Sequence, residues 1–313
     1  MIASSELIAE LKQRRACRVT LQAPEGLKRR LSELAGDLRS AGFTVLVSGD
    51  PCYGACDLDL ELLRDTDVLI HLGHAPVDST DRVIYDIFRM DFDPTVVLEA
   101  VPFFTTRRVG LVTTVQHVHL IPAVSCILEE AGITVTVAEG TDRTPYPGQI
   151  LGCSFEAARR TGASEILYLG TGVFHPLGVQ IATGARVIAC DPYTKTIEEI
   201  NGERLLRRRH ALIEKAKQAE EIGILVSPKS GQARRDLAAE LASLSPKATL
   251  IQLREVTADQ LLNLGLPCYV NTACPRLAYD DQVRWPVPVL TPQEFEILCG
   301  VRKFEEYEVD EIR

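Results

Sequence analysis

The sequence has no apolar run long enough to cross a membrane, and it has few aromatic side chains. Among 313 residues, aromatics make up 6% and tryptophan occurs once, whereas hydrophobic residues reach 46%. A membrane span needs roughly 18 or more apolar residues, and residues 1–19 lack the apolar centre of a signal peptide. The composition therefore predicts a soluble, cytoplasmic globular protein with enough apolar residues for two or three domains.

An excess of positive charge is also missing. Lys and Arg total 34 against 43 Asp and Glu, which gives a formal net charge of −9. A broad electrostatic surface for nucleic acid is therefore not expected. The densest basic stretch, residues 203–217 (ERLLRRRHALIEKAK), is interpreted as the solvent-exposed face of a helix with Glu/Arg pairs. We expect neither a nucleic-acid partner nor a membrane partner.

The nine cysteines include no CxxC pair. Such pairs are common in zinc sites, and an odd number of cysteines in a long chain argues against a disulfide framework. Cys52 and Cys56 form only a CxxxC, and Asp59 stands where the usual radical S-adenosylmethionine motif needs a third cysteine. Reduced thiols, some of them metal ligands, are therefore expected.

Hydrophobic periodicity predicts three similar α/β units. Short β-branched runs alternate with amphipathic stretches, the pattern of parallel sheets with crossover helices. The order strand, turn, helix, strand recurs at residues 17–49, 107–140 and 221–253, which indicates an internal repeat. We predict α/β domains at residues 1–100, 101–204 and 205–313. Residues 95–104 (TVVLEAVPFF) are predicted to form a further strand of the first domain.

Each unit has one cysteine beside Gly, Pro or Ala in a turn-like segment. These are Cys56 in GDPCYGACDLD, Cys153 in YPGQILGCSFEAARR and Cys274 in NTACPRLAYDD. Small neighbours allow close approach of a cofactor, and a cysteine before proline recurs among iron-sulfur ligands. Three widely separated thiolates suit a 4Fe-4S cluster with one iron that lacks a protein ligand. Five other cysteines are interpreted as small buried hydrophobes: Cys17, Cys126, Cys190, Cys268 and Cys299.

Polar loops follow several predicted strands, at the edge where parallel sheets bind ligands. They are APEG, TTVQHVH, GTGVFHP and SPKSGQ, and they converge on one cavity if the three units face one another. Histidines in and near such loops are interpreted as hydrogen-bonded cavity-wall groups or substrate contacts, with metal binding as the alternative. These histidines are His71, His74, His117, His119 and His175.

Seven segments together resemble the diphthamide synthase family, in particular its archaeal members: QAPEGLKR, GDPCYGACDLD, HLGHAPV, LVTTVQHVH, GQILGC, YLGTGVFHPLG and NTACPRLAYDD. The similarity extends from about residue 18 to residue 300. It implies three similar parallel-sheet domains around a pseudo-threefold axis with a shared central site. By motif, Cys56, Cys153 and Cys274 would ligate the 4Fe-4S cluster there.

The resemblance also implies a reaction. The open iron would bind the methionyl part of the cosubstrate S-adenosylmethionine, and an electron would break the bond between sulfur and the methionine γ-carbon. The 3-amino-3-carboxypropyl radical would add to an imidazole carbon of a histidine in translation elongation factor 2, the first step of diphthamide biosynthesis. A homodimer and a separate electron donor are implied as well. Residue types suggest S-adenosylmethionine contacts from Gly26, Gln116, His117, Gly170, Gly172, Lys229, Ser230, Gly231, Gln232 and Arg276.

Two other functions remain open at this point. Quinolinate synthase also arranges three α/β domains around a three-cysteine 4Fe-4S cluster, and a fold alone does not separate two such enzymes. The segments GDPCYGACD and CPRLAYDD favour the diphthamide family. The second alternative is a non-catalytic iron-sulfur partner subunit, against which the presence of all three thiols argues.

Overall fold

A computed structural model describes residues 4–77 and 80–312. Its strands form three sheets, one within each predicted domain. The first sheet contains β1 (Arg18–Gln22), β2 (Thr44–Val47), β3 (Val68–Leu72) and β4 (Val83–Asp86). The second contains β5 (Arg108–Thr113), β6 (Thr134–Thr136), β7 (Glu165–Leu169), β8 (Arg186–Asp191) and β9 (Thr196–Glu199). The third contains β10 (Ile222–Val226), β11 (Ala248–Gln252), β12 (Tyr269–Asn271) and β13 (Val289–Leu290).

The three sheets share one strand order. It is β2-β1-β3-β4 in the first sheet, β6-β5-β7-β8 in the second and β11-β10-β12-β13 in the third. These neighbours pair in parallel, and only β9 is added antiparallel to β8. The repeated order confirms the prediction of three similar parallel-sheet α/β units.

Helices cover the sheets, and three of the α-helices begin at a side-chain cap. Ser4 accepts a hydrogen bond from the backbone of Leu7, and Thr257 and Thr291 each complete a capping box. The α-helices are α1 (Ser5–Gln13), α2 (Lys28–Ser40), α3 (Ile121–Glu130), α4 (Glu156–Arg160), α5 (Phe174–Thr183), α6 (Glu203–Ala216), α7 (Arg235–Ser243), α8 (Ala258–Leu264), α9 (Arg276–Tyr279) and α10 (Pro292–Leu298). No helix in the described ranges has both the length and the apolar character that a bilayer span requires.

The strand predicted at residues 95–104 is wrong, because Pro94–Phe103 is a 3-10 helix. Asp93 accepts a hydrogen bond from the backbone of Thr95, and Pro94 occupies the first turn, where its missing N–H has no effect. Val97 and Ala100 of this helix pack into the apolar core of the second sheet. The domain boundary at residue 100 stays a prediction, but this segment packs with the second unit.

Two further expectations need correction. Of the five cysteines expected to be buried, Cys190 and Cys268 are buried and Cys299 is partly buried, but Cys17 and Cys126 are exposed. The basic stretch does form helix α6, but Arg209 lies inside the protein with 1% exposure. Its guanidinium forms a salt bridge with Glu294, which is fully buried. One residue of a basic run can therefore be part of the core when a carboxylate from another helix pairs with it.

The segment Val309–Ile312 returns from the third unit to the second. Val309 packs in the core around Phe155, and the backbone N–H of Ile312 donates to the carbonyl of Cys153 at 2.9 Å. Glu311 accepts a hydrogen bond from the backbone of Phe155 at 2.6 Å. These contacts fix both sides of the loop that holds Cys153.

Candidate metal centre

Three cysteines, one from each unit, line a single cavity of about 210 Å³, called the thiol cavity below. Cys56 lies in the loop after β2, Cys153 lies between β6 and α4, and Cys274 lies between β12 and α9. All three loops follow the carboxyl end of a parallel strand, which is where open α/β sheets bind ligands. The loops of Cys56 and Cys153 are equivalent, because β2 and β6 hold the same edge position in their sheets, whereas Cys274 follows β12, which corresponds to β3 and β7. The distant cysteines meet because all three loops lie at the carboxyl ends of their sheets.

The spacing of the thiols does not suit one small metal ion. Within residues 4–77 and 80–312, no three His, Cys, Asp or Glu side chains are close enough to hold a metal ion together. A structural zinc site needs four such ligands around one atom. An iron-sulfur cluster differs, because each thiolate binds a separate iron and the sulfurs can lie farther apart.

The neighbours of Cys56 hold its loop against the third unit. Gln232 Nε2 donates to Cys56 Sγ at 3.4 Å. A Cβ atom at Gly231 would lie 2.5 Å from Cys56 Cα, so no larger residue fits there without a shift of backbone. Cys52, the competing cysteine of the CxxxC, is 1% exposed and lines neither this cavity nor the adjoining one.

Lys229 also joins the first and third units. Its Nζ lies 2.8 Å from Asp57 Oδ2 and 2.6 Å from Glu255 Oε1, and the side chain is almost fully buried. Two carboxylates therefore compensate one ammonium next to Cys56. We conclude that Lys229 holds the Cys56 loop in place, because its charge is already neutralised.

Cys274 is held by its own sequence motif. Asn271 Nδ2 donates to the carbonyl of Cys274 at 2.8 Å, and Asn271 Oδ1 accepts from the backbone of Ala273 at 3.0 Å. The short helix α9 starts immediately after Pro275. The NTACPR segment is thus a closed turn that directs the thiol into the cavity.

Arg143 is a cavity residue that the sequence interpretation missed. Its Nη2 lies 3.7 Å from Cys153 Sγ and 3.1 Å from the carbonyl of Gly231, and its Nε is buried without a hydrogen-bond partner in the described chain. No carboxylate of the described residues forms an ion pair with it. The only sequence signal was a cation in the loop before Cys153, with no motif around it.

Burial raises the pKa of all three cavity thiols. For Cys274 burial raises the pKa to about 12, and the nearby Cys56 and Cys153 add to this effect. Burial and then the charge of Cys153 raise the pKa of Cys56, while Gln232 opposes the shift. In Cys153 burial again dominates and Arg143 opposes it. Three thiols in one cavity therefore need a cationic partner before they all ionise.

The predicted S-adenosylmethionine contacts fall into two groups. Gln116 and Arg276 line the thiol cavity, while Lys229, Gln232 and Arg276 line an adjoining side cavity of about 290 Å³. The residues that line neither cavity are Gly26, His117, Gly170, Gly172, Ser230 and Gly231.

The five histidines singled out in the sequence lie in different parts of the structure. His117 is 3% exposed, and its Nδ1 lies 3.1 Å from the carbonyl of Met90. His119 pairs with Asp91 at the surface. His74 and His175 line the thiol cavity, and His71 lies behind His74 in strand β3. The cavity-wall interpretation therefore holds for His74 and His175.

The geometry defines a class of protein, in which three parallel-sheet units each direct one thiol into a shared cavity. The chain belongs to the family described as "Putative diphthamide synthesis protein", whose model matches residues 23–308. It is 41% identical to 2-(3-amino-3-carboxypropyl)histidine synthase of Pyrococcus horikoshii, over 99% of this chain and 93% of that protein. It is 31% identical to the synthase subunit 1 of Nematostella vectensis, over 97% of this chain and 68% of that protein.

A solved structure is also similar over the whole chain. The crystal structure of Dph2 from Pyrococcus horikoshii with a 4Fe-4S cluster superposes with a TM-score of 0.93 at 38% identity. The match covers 100% of this chain and 94% of that one. The family resemblance stated from sequence motifs is thereby confirmed, and so is the predicted fold class.

Proposed function

We propose that this chain transfers the 3-amino-3-carboxypropyl group of S-adenosylmethionine to a histidine of translation elongation factor 2, the first step of diphthamide biosynthesis. The observation that carries the proposal is the convergence of Cys56, Cys153 and Cys274 on one cavity in a chain of this family. The names of the relatives in Pyrococcus and Nematostella support the reaction, and the cluster in the Pyrococcus crystal structure supports the cofactor.

The thiol cavity fits a 4Fe-4S cluster held by these three cysteines. Among the described residues, its lining includes three thiols but no Asp or Glu side chain that would favour a harder cation. N–H groups of Gln232 and Arg143 point at two of the sulfurs, as is common around iron-sulfur clusters. When bound, the cluster would provide the electron that breaks the bond between sulfur and the methionine γ-carbon.

The two cavities together suit the shape of S-adenosylmethionine. They adjoin and share Tyr53, Cys56, Cys274 and Arg276. We place the methionyl end in the thiol cavity, where the uncompensated guanidinium of Arg143 binds the carboxylate. The side cavity is lined by Trp285, which offers an aromatic face to the nucleoside.

Arg276 takes a secondary part in this arrangement. Asp280 lies 2.8 Å from its guanidinium, and the ring of Phe174 lies under the same group at 5.2 Å. The charge of Arg276 is therefore partly compensated before any ligand binds. We propose that Arg276 forms part of the cavity wall and closes it, and that Arg143 makes the main contact with the carboxylate of S-adenosylmethionine.

The remaining elements of the proposal concern partners. We propose a homodimer, a separate electron donor and a cytoplasmic location, because the protein substrate belongs to the translation apparatus.

The family match over residues 23–308 favours this reaction over that of quinolinate synthase. A purely structural iron-sulfur subunit would not explain a second cavity that adjoins the thiols.

The test is product analysis after anaerobic reconstitution and reduction with dithionite. The protein should contain about four irons per chain, release methylthioadenosine, and add a 3-amino-3-carboxypropyl mass to elongation factor 2. Predominant 5'-deoxyadenosine would contradict the proposed bond cleavage. A cluster-loaded protein that leaves S-adenosylmethionine intact would favour quinolinate synthase chemistry or a non-catalytic role instead.

A further inference from the structure

A chain of three polar side chains leads from the first sheet to the thiol cavity. Gln22 lies at the end of β1, His71 lies in the adjacent strand β3, and His74 lies in the loop that follows. His71 Nδ1 is 3.2 Å from Gln22 Oε1, and His71 Nε2 is 3.0 Å from His74 Nδ1. Gln22 and His71 are almost fully buried, so water does not exchange freely with these bonds.

The hydrogen bonds fix which nitrogen of each ring carries a proton. Gln22 Nε2 donates to the carbonyl of Asp57 at 2.9 Å, so Gln22 Oε1 faces His71 and can only accept. His71 Nδ1 must then carry the hydrogen, and a neutral imidazole has only one. His71 Nε2 therefore accepts from His74 Nδ1, and His74 Nε2 is left with a lone pair.

His74, whose Nε2 carries this lone pair, is one of the residues that line the thiol cavity. His74 lines the cavity together with all three cysteines, and no described residue forms a hydrogen bond with its Nε2. Burial lowers the pKa of His74 to about 4 and that of His71 to about 3, so both rings are neutral at pH 7. Since none of the described residues that line the cavity is an Asp or Glu, imidazoles are the uncharged bases among them.

His175 is the other imidazole on the cavity, and it differs in one respect. Its ring stacks on Tyr168 with centroids 6.1 Å apart, but no hydrogen bond from a described residue determines its tautomer. Of these two imidazoles, His74 is therefore the one whose hydrogen bonds determine, before substrate binds, which ring nitrogen can accept a proton.

The proposed reaction releases a proton that needs such an acceptor. The bond between sulfur and the γ-carbon breaks, a carbon–carbon bond forms, and the substrate imidazole loses a hydrogen from the same carbon. The electron that breaks the first bond is returned to its donor when the ring becomes aromatic again. S-adenosylmethionine enters as a sulfonium cation and methylthioadenosine leaves neutral, so the sum balances with one proton released and no net oxidant. We propose that His74 Nε2 accepts this proton while His71 and Gln22 hold its ring in place.

A weak base is sufficient for this step. A substituted ring carbon that still carries its hydrogen is strongly acidic, because loss of the proton restores the aromatic ring. Burial, which disfavours the imidazolium form, then makes His74 release the proton before the next turnover. This inference rests on the proposed function and adds a residue to it.

The first test does not depend on activity. ¹⁵N NMR of the full-length, cluster-free chain labelled at histidine should show the Nδ1–H tautomer for both His71 and His74. His74→Gln should remove one of these two signals and so assign it. An Nε2–H tautomer at His74 would overturn the proposal, because no lone pair would then face the cavity.

The second test uses the reduced, cluster-loaded enzyme with elongation factor 2. His74→Gln should keep its iron and release methylthioadenosine, while modification of the factor falls about a hundredfold. Deuterium on the imidazole carbons of the factor should slow the variant more than the wild-type protein, because proton removal becomes rate-limiting. The exposed His210→Gln serves as the matched control and should leave both products unchanged.

Other results would contradict the assignment in distinct ways. Wild-type rates of modification in His74→Gln would show that another group takes the proton. An equal loss of methylthioadenosine and modified factor would assign His74 to cosubstrate binding and overturn its role as a base. If the wild-type protein cleaves no S-adenosylmethionine, the proposed function itself fails, and this inference fails with it.

Discussion

Arg209 and Arg143 lie in different regions and are compensated differently. Arg209 donates to both carboxylate oxygens of Glu294 and to the carbonyls of Ala278 and Val289. Arg143 contacts a thiol and a carbonyl, and no carboxylate of the described residues pairs with it. A charge that only supports the fold is neutralised by the chain itself, whereas the charge beside the thiols remains available for a ligand.

The largest expected effect comes from removing the thiols next to Arg143. Cys56→Ala, Cys153→Ala and Cys274→Ala should each lose most of the bound iron, because every one removes a coordination bond at the shared cavity. Iron and sulfide analysis of anaerobically purified protein measures this. Cys52→Ala and Cys268→Ala are the controls and should retain iron; equal losses in all five variants would refute the ligand assignment.

A substitution at Arg209 should change the free energy of unfolding rather than the iron content. Arg209→Ala leaves the carboxylate of Glu294 buried without its partner, so we expect unfolding to become easier by about 3–5 kcal/mol. Urea denaturation of the cluster-free protein measures this value. Arg208→Ala, in the same helix but exposed, should change stability by less than about 0.5 kcal/mol. Similar effects for the two variants would mean that the Arg209 pair contributes little.

Glu165 extends the comparison to a buried anion that is also fully compensated. Burial raises the pKa of its carboxyl, but hydrogen bonds from Thr105, Thr106 and Arg186 outweigh this and lower the pKa to about 2. Because the folded pKa lies below the ordinary 4.5, the carboxylate stabilises the protein above pH 4.5. That contribution is lost as the pH falls towards about 2.

Glu165→Gln should therefore lower stability at pH 7 by about 1–3 kcal/mol, with a smaller difference from wild type at acid pH. Denaturation midpoints at pH 7 and below pH 4 measure this. Glu199→Gln removes the more exposed carboxylate on the same Arg186 and should change stability by at most about 1 kcal/mol. A pH-independent effect of Glu165→Gln would contradict the assigned cause.

The smallest effect concerns Arg143 itself. Arg143→Gln removes a positive charge beside the thiols, which should lower the reduction potential of the bound cluster by some tens of millivolts with little change in stability. Arg276→Gln should shift the potential less, because Asp280 already compensates that guanidinium. Redox titration followed by electron paramagnetic resonance compares the two. A larger shift for Arg276→Gln would reverse our ranking of the two cations.

Local patterns were enough to predict the three units and their thiols. Strand and helix periods predicted the repeat, and the motif resemblance assigned Cys56 rather than Cys52 as a ligand. Pairings between distant residues were not predictable. Lys229 and Asp57 are 172 positions apart, so nothing near Lys229 indicated that its charge is neutralised.

The misassigned segment at residues 95–104 shows a second limit. Its apolar and β-branched residues fit a buried strand, and only Asp93 and Pro94 signalled the start of a helix. Arg143 shows a third limit, because a single cation in a loop has no period or motif. The position of Arg143 depends on its hydrogen bond to the carbonyl of Gly231, which can form only after the second and third units have folded together.

The return of Glu311 and Ile312 to the Cys153 loop means that this loop acquires its last contacts only at the end of synthesis. Glu311 follows Phe155 by 156 residues, so a ribosome adding about 5–20 residues per second needs roughly 8–30 seconds to span that distance. During that interval the nascent chain carries Cys56 and Cys153 without the contacts that hold the second of them. A cluster held by all three proposed ligands could therefore form only after the third unit has been synthesised.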